Sequence, residues 1–320
     1  MDEPDPFSCF GDSDEDEDRE VSSNDLPAQT PSEKGESVKR DPSCGILAFH
    51  SGTEQALLKH VENELLQCKE TVDLAAFVLD SIDKFCLNRH WMMHVGNEKA
   101  EIIQKFVEQC CSSSPSNRSL VFVEVGTYCG YSSIMLARTL SRIGSDFHIY
   151  SIEVVGEHAQ VAKEMIRFAG FEDKIDCLLL DPDKETLVAL LKSKISTDFI
   201  DFLFIDHDKS LYLSDLQQLE VSGLMKKGCF VAADNVVFAR IDEYRQYMSD
   251  LASKGHVKTQ LEECCLEYSE PDYDGDESKK VLLEDGIGTL LSSFLRLSVW
   301  IIGGLNAVVH CALYRTLGLS

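Results

Sequence analysis

The middle of the chain alternates short apolar runs with segments whose apolar residues recur every three or four positions. The apolar runs predict strands over residues 120–125, 147–152, 175–180, 199–205 and 229–233. The segments between them predict helices, and two amphipathic helices from Thr53 onward precede the first strand. This alternation is typical of an α/β fold with a doubly wound, mostly parallel sheet that is covered by helices on both faces. Ligands of such folds bind at the carboxyl ends of the strands.

The turn after the first predicted strand carries the most informative motif. The strand ends at Glu124 and Gly126, and Gly130 precedes a helix that begins near Ser132. Glycines permit a tight turn and a close approach of the backbone to a ligand. Glu124 and a second acid at a strand end, Glu153, can accept hydrogen bonds from hydroxyl or ammonium groups. The Gly-x-x-x-Gly spacing differs from the dinucleotide fingerprint, so it favours a nucleoside without phosphates, with an ordinary strand-turn-helix corner as the alternative.

Polar residues also follow the fourth and fifth predicted strands. Asp206 and Lys209 come after the fourth, and Asp234 and Asn235 come after the fifth. If these strands are neighbours, Asp206, Asp234 and Asn235 lie side by side at one edge of the sheet. Mg²⁺ prefers oxygen ligands such as carboxylates and amides, so the pattern predicts a magnesium site. The alternative is that each aspartate caps the helix that follows it.

The size and charge of the chain limit its organisation and its partners. The 320 residues, of which 44% are hydrophobic, are enough for one large domain with additional tails. Most of the excess negative charge, which amounts to −25 overall, lies in residues 1–50 and 262–285. Acidic segments of this kind are typically solvated, so we expect a disordered leader over residues 1–50. We expect no nucleic acid partner, because a phosphate backbone requires a basic surface.

The cysteines indicate a reducing compartment. Twelve cysteines are scattered through apolar segments or stand in adjacent pairs, and no Cys-x-x-Cys spacing occurs. Residues 1–45 contain no apolar signal segment. Both observations favour free thiols in a cytoplasmic protein, and neither indicates a zinc site.

The apolar stretch over residues 297–314 has nearly the length of a membrane span and is bracketed by Arg296 and Arg315. Asn306 and His310 within the stretch argue against a membrane span. Three interpretations stay open: a membrane anchor that would associate the protein with a bilayer, a helix that lies at an interface or docks on the core, and a sequence artefact.

Together these motifs resemble those of the catechol O-methyltransferases, which belong to the class I methyltransferases that use S-adenosylmethionine. The resemblance runs from about Trp91 to Val281. It rests on Trp91-Met92-Met93-His94-Val95-Gly96, Glu124-x-Gly126-x-Tyr128-Cys129-Gly130-Tyr131-Ser132, Ile152-Glu153, Asp206-His207-x-Lys209, Asp234-Asn235 and Leu266-Glu267-Tyr268. It implies a Rossmann-like, seven-stranded sheet with extra helices at the amino terminus. The chain then divides into the leader 1–50, a methyltransferase domain 51–285 and an apolar tail 286–320 without an assigned role.

The resemblance also implies a role for each matching residue. The residues that would bind S-adenosylmethionine or line its pocket are Met93, Val95, Glu124, Gly126, Tyr128, Ser132, Glu153, Val154, Asp183 and Asp206. The residues that would bind Mg²⁺ are Asp206, Asp234 and Asn235. Asn235 and Glu267 would hold the catechol oxygens, and Lys209 would be the general base. The implied protein is a monomeric enzyme that methylates one hydroxyl of a magnesium-bound catechol.

One position departs from the vertebrate pattern, which has Trp where this chain has Asp208. The run Asp-His-Asp-Lys resembles microbial members and, more loosely, the caffeoyl-CoA O-methyltransferases. A caffeoyl-CoA or flavonoid O-methyltransferase is therefore one alternative, and a non-catalytic, membrane-tethered interaction protein with the same fold is another. The acidic segment Glu270 to Ser278, which follows Glu267 closely, favours a neutral or cationic catechol as the substrate.

Overall fold

A computed structural model of the chain describes residues 52–68, 73–114, 118–195, 199–237, 239–264 and 297–303. The predicted acidic leader 1–50, the acidic segment Glu270 to Ser278 and the part of the tail beyond Gly303 lie outside these residues. The predicted catalytic residue Glu267 lies outside them as well.

Seven strands form one sheet within the described part of the chain. They are β1 (Leu120–Val125), β2 (Phe147–Glu153), β3 (Ile175–Leu179), β4 (Ile200–Ile205), β5 (Met225–Ala233), β6 (Lys258–Cys264) and β7 (Leu297–Gly303). Their order across the sheet is β3-β2-β1-β4-β5-β7-β6. β1 to β5 run parallel, and β7 is antiparallel to its neighbours β5 and β6. The five strands predicted from the apolar runs are confirmed, and so is the mostly parallel, doubly wound sheet.

The described helices form a layer on each side of the sheet. One core contains residues of α1 (Thr53–Gln67), α2 (Leu74–Asn88), α3 (Gly96–Ser113), α4 (Tyr131–Ile143) and α5 (Gly156–Phe168). The other contains residues of α6 (Leu187–Lys194), α7 (Tyr212–Ser222) and α8 (Asp242–Ser253). Successive side chains of a strand point to opposite faces, so Phe122 of β1 packs in the first core, whereas Val121 and Val123 pack in the second.

The order of the strands reverses at β1, and this determines where a ligand can bind. From β1 the chain continues to β2 and β3 on one side and then returns to the other side of β1 as β4. The ends of β1, β4 and β5 are aligned, since Val125 pairs with Ile205 and Ile205 pairs with Ala233. Doubly wound sheets bind their ligands in the crevice at such a point. The residues that follow these three strands therefore meet at one edge.

The start of the apolar tail is a strand and not a helix. Ile301 of β7 pairs with Ala232 of β5 on one side and with Gln260 of β6 on the other. The helical interpretations are therefore wrong for residues 297–303, and the sheet includes residues that we assigned to the tail. A short apolar run fits a strand or a helix equally well, and here pairing on both sides satisfies the backbone groups. Among the described residues, no helix is both long enough and apolar enough to cross a membrane.

Gly126 packs so closely against the end of β4 that a side chain does not fit. Its φ is +102°, and a Cβ atom at this position would lie 2.1 Å from the backbone oxygen of Asp206. We expect Gly126→Ala to lower the free energy of unfolding by about 2–5 kcal/mol, because a backbone penalty and an overpacking penalty add. Urea-induced unfolding of the wild type and the variant measures this difference.

Gly144→Ala is the matched control. Gly144 has a φ of +81°, and a Cβ atom there would meet no atom of the described residues within 4 Å. The Gly144→Ala variant should therefore lose only the backbone penalty, about 1–2 kcal/mol of the free energy of unfolding. If Gly126→Ala and Gly144→Ala lost equal free energies of unfolding, the result would contradict a tight contact between Gly126 and the backbone of Asp206.

Candidate active site

The first part of the site is a buried carboxylate near the end of β1. Glu124 has no exposed surface. Its Oε2 accepts hydrogen bonds from the hydroxyls of Ser133 and Ser151, the latter at 2.5 Å. Burial raises the pKa of Glu124 to about 7, and the hydroxyls of Ser132, Ser133 and Ser151 oppose this rise. Oε1 accepts no hydrogen bond from any described residue, which leaves a buried acceptor for a ligand that carries a donor.

A second carboxylate, at the end of β2, is held in one orientation by backbone groups. Oε1 of Glu153 accepts hydrogen bonds from the N–H groups of Val154 and Val155, both at 2.9 Å. Oε2 accepts a hydrogen bond from the N–H of Tyr128 at 2.8 Å, and Tyr128 has a left-handed backbone with φ 48°. Because its three donors belong to the backbone, the carboxylate of Glu153 is positioned independently of any ligand.

The ring of Tyr128 connects this region to the first helix. It lies between the rings of His94 and His158, with centroid distances of 5.1 and 5.0 Å. Its hydroxyl donates to Oε1 of Glu54 at 3.1 Å, and Glu54 is a buried residue of α1. His158 also lies between Glu54 and Glu153, 3.6 and 4.0 Å from their carboxylates. The amino-terminal helix therefore contributes to the same edge of the sheet.

The second part of the site lies where β4 and β5 end. Nζ of Lys209 donates to Oδ1 of Asp206 and to the hydroxyl of Tyr212, both at 2.7 Å. The hydroxyl of Tyr212 donates to the backbone oxygen of Asp234 at 3.1 Å. Burial raises the pKa of Asp206, and the ammonium of Lys209 opposes this rise. Tyr212 thus connects residues that follow two adjacent strands.

Asp234 is paired with a lysine that is itself buried. Asp234 and Lys99 each expose 1% of their surface, and Nζ of Lys99 donates to Oδ2 of Asp234 at 2.5 Å. Oδ1 of Asp234 accepts a hydrogen bond from the N–H of Asn235 at 2.8 Å. Asn235 has a left-handed backbone with φ 62°. Its buried Oδ1 meets no hydrogen-bond donor within the described part of the chain, so this amide oxygen is available to a ligand.

The predicted magnesium ligands follow two adjacent strands whose ends are aligned: Asp206 comes directly after β4, and Asp234 and Asn235 come directly after β5. The residues that the structure describes contain no cluster of three or more His, Cys, Asp or Glu side chains that could hold a metal ion. The predicted set has only two residues of these types, and its third oxygen belongs to an amide.

Other predicted ligand-binding residues lie near Glu124 and Glu153 in the chain or at the start of a helix. Ser132 is in the first turn of α4 and is buried. Val95 precedes α3 and is buried, and Met93 is half-buried. Val154 follows β2 and exposes 55% of its surface, which leaves an apolar side chain open to a ligand.

Two further acids have local roles. Asp183 is exposed in the turn after β3, where its N–H donates to Oδ1 of Asp181 at 3.2 Å. Asp208 caps the 3₁₀ turn Lys209–Leu211, because its Oδ1 accepts hydrogen bonds from the N–H and the hydroxyl of Ser210 at 2.9 and 2.8 Å. We considered a capping role for Asp206 and Asp234, but the residue that caps this turn is Asp208.

A known family matches most of the region that forms this edge. The sequence model of the O-methyltransferases matches residues 69–252, which is more than half of the chain. This chain belongs to the O-methyltransferase family. The matched residues begin before α2 in the chain and end within α8, so they include both parts of the site.

Individual relatives agree with the family. Catechol O-methyltransferase of Bos taurus is 33% identical over 202 residues, which cover 63% of this chain and 68% of that protein. A probable O-methyltransferase of Mycobacterium tuberculosis is 33% identical over 173 residues, 53% of this chain and 70% of that protein. Transmembrane O-methyltransferase of Homo sapiens is 30% identical over 170 residues, 53% of this chain and 55% of that protein. The predicted resemblance to class I, catechol O-methyltransferase-like proteins is confirmed.

Sequence reasoning missed two residues of this O-methyltransferase that contact the predicted site residues. Lys99 lies 135 positions before Asp234, so no local spacing indicates their pairing. Tyr212 lies three residues after Lys209, which is a spacing at which helical side chains meet. That spacing was a usable signal for Tyr212, whereas Lys99 had none.

We expect Lys99→Met to destabilise the O-methyltransferase, because it leaves the buried carboxylate of Asp234 without its cation. Loss of one partner of a buried ion pair lowers the free energy of unfolding by about 3–5 kcal/mol. Lys184→Met is the control, since Lys184 pairs with Asp181 at the same 2.5 Å but its side chain is 80% exposed. That variant should lose much less stability, because solvent screens an exposed ion pair. Urea-induced unfolding measures the stability of both variants. If Lys99→Met and Lys184→Met lost similar free energies of unfolding, burial would not be the reason why the pair of Lys99 and Asp234 matters.

We expect Glu124→Gln to change how stability depends on pH. The folded-state pKa of Glu124, about 7, lies above the ordinary 4.5. Its stabilising contribution is therefore complete below pH 4.5 and is lost as pH rises through 7. The free energy of unfolding of the wild type should fall relative to the variant by on the order of 3 kcal/mol between pH 4.5 and 8.

Urea unfolding of both proteins at a series of pH values, without ligand, measures this difference. Glu157→Gln removes a carboxylate at an exposed position of α5 and serves as the control for a general change in net charge. A difference between wild type and Glu124→Gln that does not vary with pH would contradict the raised pKa of Glu124.

Proposed function

We propose that this O-methyltransferase transfers the methyl group of S-adenosylmethionine to one hydroxyl of a catechol bound to Mg²⁺, with Lys209 as the general base. The observation that carries the proposal is the amine of Lys209, bonded to Asp206 and Tyr212 at 2.7 Å, at the same edge as the unpaired amide oxygen of Asn235. The amine that we propose as the proton acceptor and the oxygen that we propose as a ligand of the cation thus follow adjacent strands.

The residues at the first part of the site fit S-adenosylmethionine. Its ammonium group needs a buried acceptor, and Oε1 of Glu124 is one that no described residue uses. Its ribose hydroxyls need an acceptor of fixed orientation, which Glu153 supplies. The exposed side chain of Val154 offers apolar surface to adenine. Gly126, Tyr128, Ser132, Met93, Val95, Asp183 and Asp206 complete the proposed cofactor-binding set. When bound, the cofactor supplies the electrophilic methyl group.

The residues at the second part of the site fit Mg²⁺. Asp206, Asp234 and Asn235 provide two carboxylates and an amide, which are the oxygen donors that this ion prefers. The unpaired Oδ1 of Asn235 is the structural observation in favour of the ion. When bound, Mg²⁺ supplies positive charge that holds two adjacent substrate oxygens and makes a hydroxyl more acidic. Glu267 would assist Asn235 in orienting the substrate.

Lys209 would take the hydroxyl proton at Nζ. A phenolic hydroxyl has a pKa of about 10 and is mostly protonated at neutral pH, so a base is needed before its oxygen attacks the methyl group. The side chain of Lys209 is 18% exposed, which leaves it accessible from the edge of the sheet. Holding the two reactants in line lowers the barrier further, by on the order of 7–11 kcal/mol in well-oriented systems.

The charge of the chain favours a catechol over a coenzyme A thioester. The net charge of −25 repels a polyanionic substrate and does not repel a neutral or cationic one. The non-catalytic alternative is disfavoured, because an interaction protein has no use for a lysine and two unpaired acceptors held at one edge.

The test is transfer of a labelled methyl group from S-adenosylmethionine to catechol, with Mg²⁺ or with a chelator. We expect turnover that requires Mg²⁺ and a kcat at least about 100-fold lower in Lys209→Ala, since general bases contribute roughly 10²–10⁴-fold. Lys174→Ala is the matched control, because Lys174 also pairs with an aspartate, Asp146, but lies just before β3 at the opposite end of the strand. It should retain wild-type turnover.

Two results would contradict the proposal. The first is undiminished turnover in the presence of chelator, which would exclude the role of Mg²⁺. The second is an inactive wild type that nevertheless binds S-adenosylmethionine in calorimetry, which would exclude catechol as the acceptor.

A further inference from the structure

The directions of the bonds around Nζ of Lys209 are determined by two neighbours. Nζ donates to Oδ1 of Asp206 and to the hydroxyl of Tyr212, each at 2.7 Å. A tetrahedral nitrogen has three substituent directions besides its own carbon. Because two of them are occupied by these acceptors, the third direction is set as well.

The hydroxyl of Tyr212 can only accept a hydrogen bond from Lys209. A phenol has one hydrogen, and both oxygens that can take it are pure acceptors: the backbone oxygen of Asp234 at 3.1 Å and the carboxylate of Asp206. Neither oxygen can donate, so the hydroxyl cannot turn and offer its hydrogen to the lysine without losing these acceptors. Two N–H groups of Nζ are therefore held by Asp206 and Tyr212, and the third substituent position of the nitrogen points away from both.

Tyr212 is held rigidly enough to impose this arrangement. It has no exposed surface and is the first residue of α7. Its ring stacks on His207 at a centroid distance of 5.2 Å and meets Tyr244 edge-on at 5.8 Å. His207 is in turn held by Asp215, since Nε2 lies 2.9 Å from Oδ2. The hydroxyl thus has a fixed position relative to β5.

We propose that Tyr212 is a positioning residue, which directs the third substituent position of Lys209 Nζ toward the substrate without touching the substrate itself. The proposal rests on the proposed function, because it presumes that Lys209 is the general base. It explains why a tyrosine hydroxyl is buried between a lysine and a backbone carbonyl. Without that hydroxyl, Asp206 alone would hold the amine, and the nitrogen could rotate about this single bond.

The test is Tyr212→Phe, which keeps the ring and its packing and removes only the hydroxyl. We expect kcat for catechol methylation to fall by about 10- to 100-fold, as small errors in the placement of a reacting group do. The KM for catechol and the Kd for S-adenosylmethionine should change less than about twofold, because neither ligand contacts the hydroxyl in this proposal.

Tyr244→Phe is the matched control. Tyr244 is equally buried and packs against Tyr212, but its hydroxyl has no hydrogen-bond partner among the described residues. Its removal should leave kcat unchanged. A similar fall of kcat in both variants would overturn the proposal, because it would attribute the effect to packing.

A double-mutant cycle with Lys209→Ala separates positioning from structural damage. If Tyr212 acts through Lys209, Tyr212→Phe has no further effect on the residual single-turnover rate of Lys209→Ala, so the two changes are not additive. The role of Tyr212 would be overturned if Tyr212→Phe lowered the rate equally in the wild type and in Lys209→Ala. It would also be overturned if Tyr212→Phe did not lower the rate of the wild type. Full activity of Lys209→Ala alone would instead show that the base assignment itself is wrong, which distinguishes the two failures.

Discussion

The alignment of three parallel strand ends is the constraint on which the site depends. Val125, Ile205 and Ala233 pair in register across β1, β4 and β5. The N–H groups of Asp206 and Asp234 continue this ladder by donating to Val125 and Ile205 at 2.8 and 3.0 Å. Strands lie roughly 5 Å apart, so the residues that follow them reach a common edge. The cores on both faces maintain the register, because a slip of one residue would move every side chain to the opposite face.

The same alignment brings carboxylates together in a buried place, which is unfavourable unless each has a partner. Lys99 compensates Asp234, and Lys209 compensates Asp206. Among the described residues, Glu124 has only neutral hydroxyl donors, and burial raises its pKa to about 7. A cationic side chain thus balances the carboxylates that follow β4 and β5, whereas the carboxylate of β1 has no such partner among the described residues. A ligand that carries a cationic group would supply what Glu124 lacks, which agrees with the cofactor that we propose.

Two buried oxygen atoms, Oε1 of Glu124 and Oδ1 of Asn235, accept no hydrogen bond from the described residues. Buried acceptors of this kind cost stability, and native proteins retain them where a ligand satisfies them. They lie at strand ends that the switch point of the sheet brings to one edge. After β4, Tyr212 uses one hydroxyl to bond both Lys209 and the backbone that follows β5. The proposed reaction combines these features, since it needs a bound cation, a held cofactor and an oriented base.

The sequence by itself determined the α/β class, the first five strands and most of the strand-end acids, because periodicity and strand-end position are local properties of the chain. It did not determine that residues 297–303 form β7, since a short apolar run fits a strand or a helix equally well. The pairing of Lys99 with Asp234 and the hydrogen bond from Tyr212 to the backbone of Asp234 were decided by the tertiary structure alone. These contacts depend on which strands become neighbours and on how helices pack over them, and no local pattern of residues encodes distances across a folded sheet.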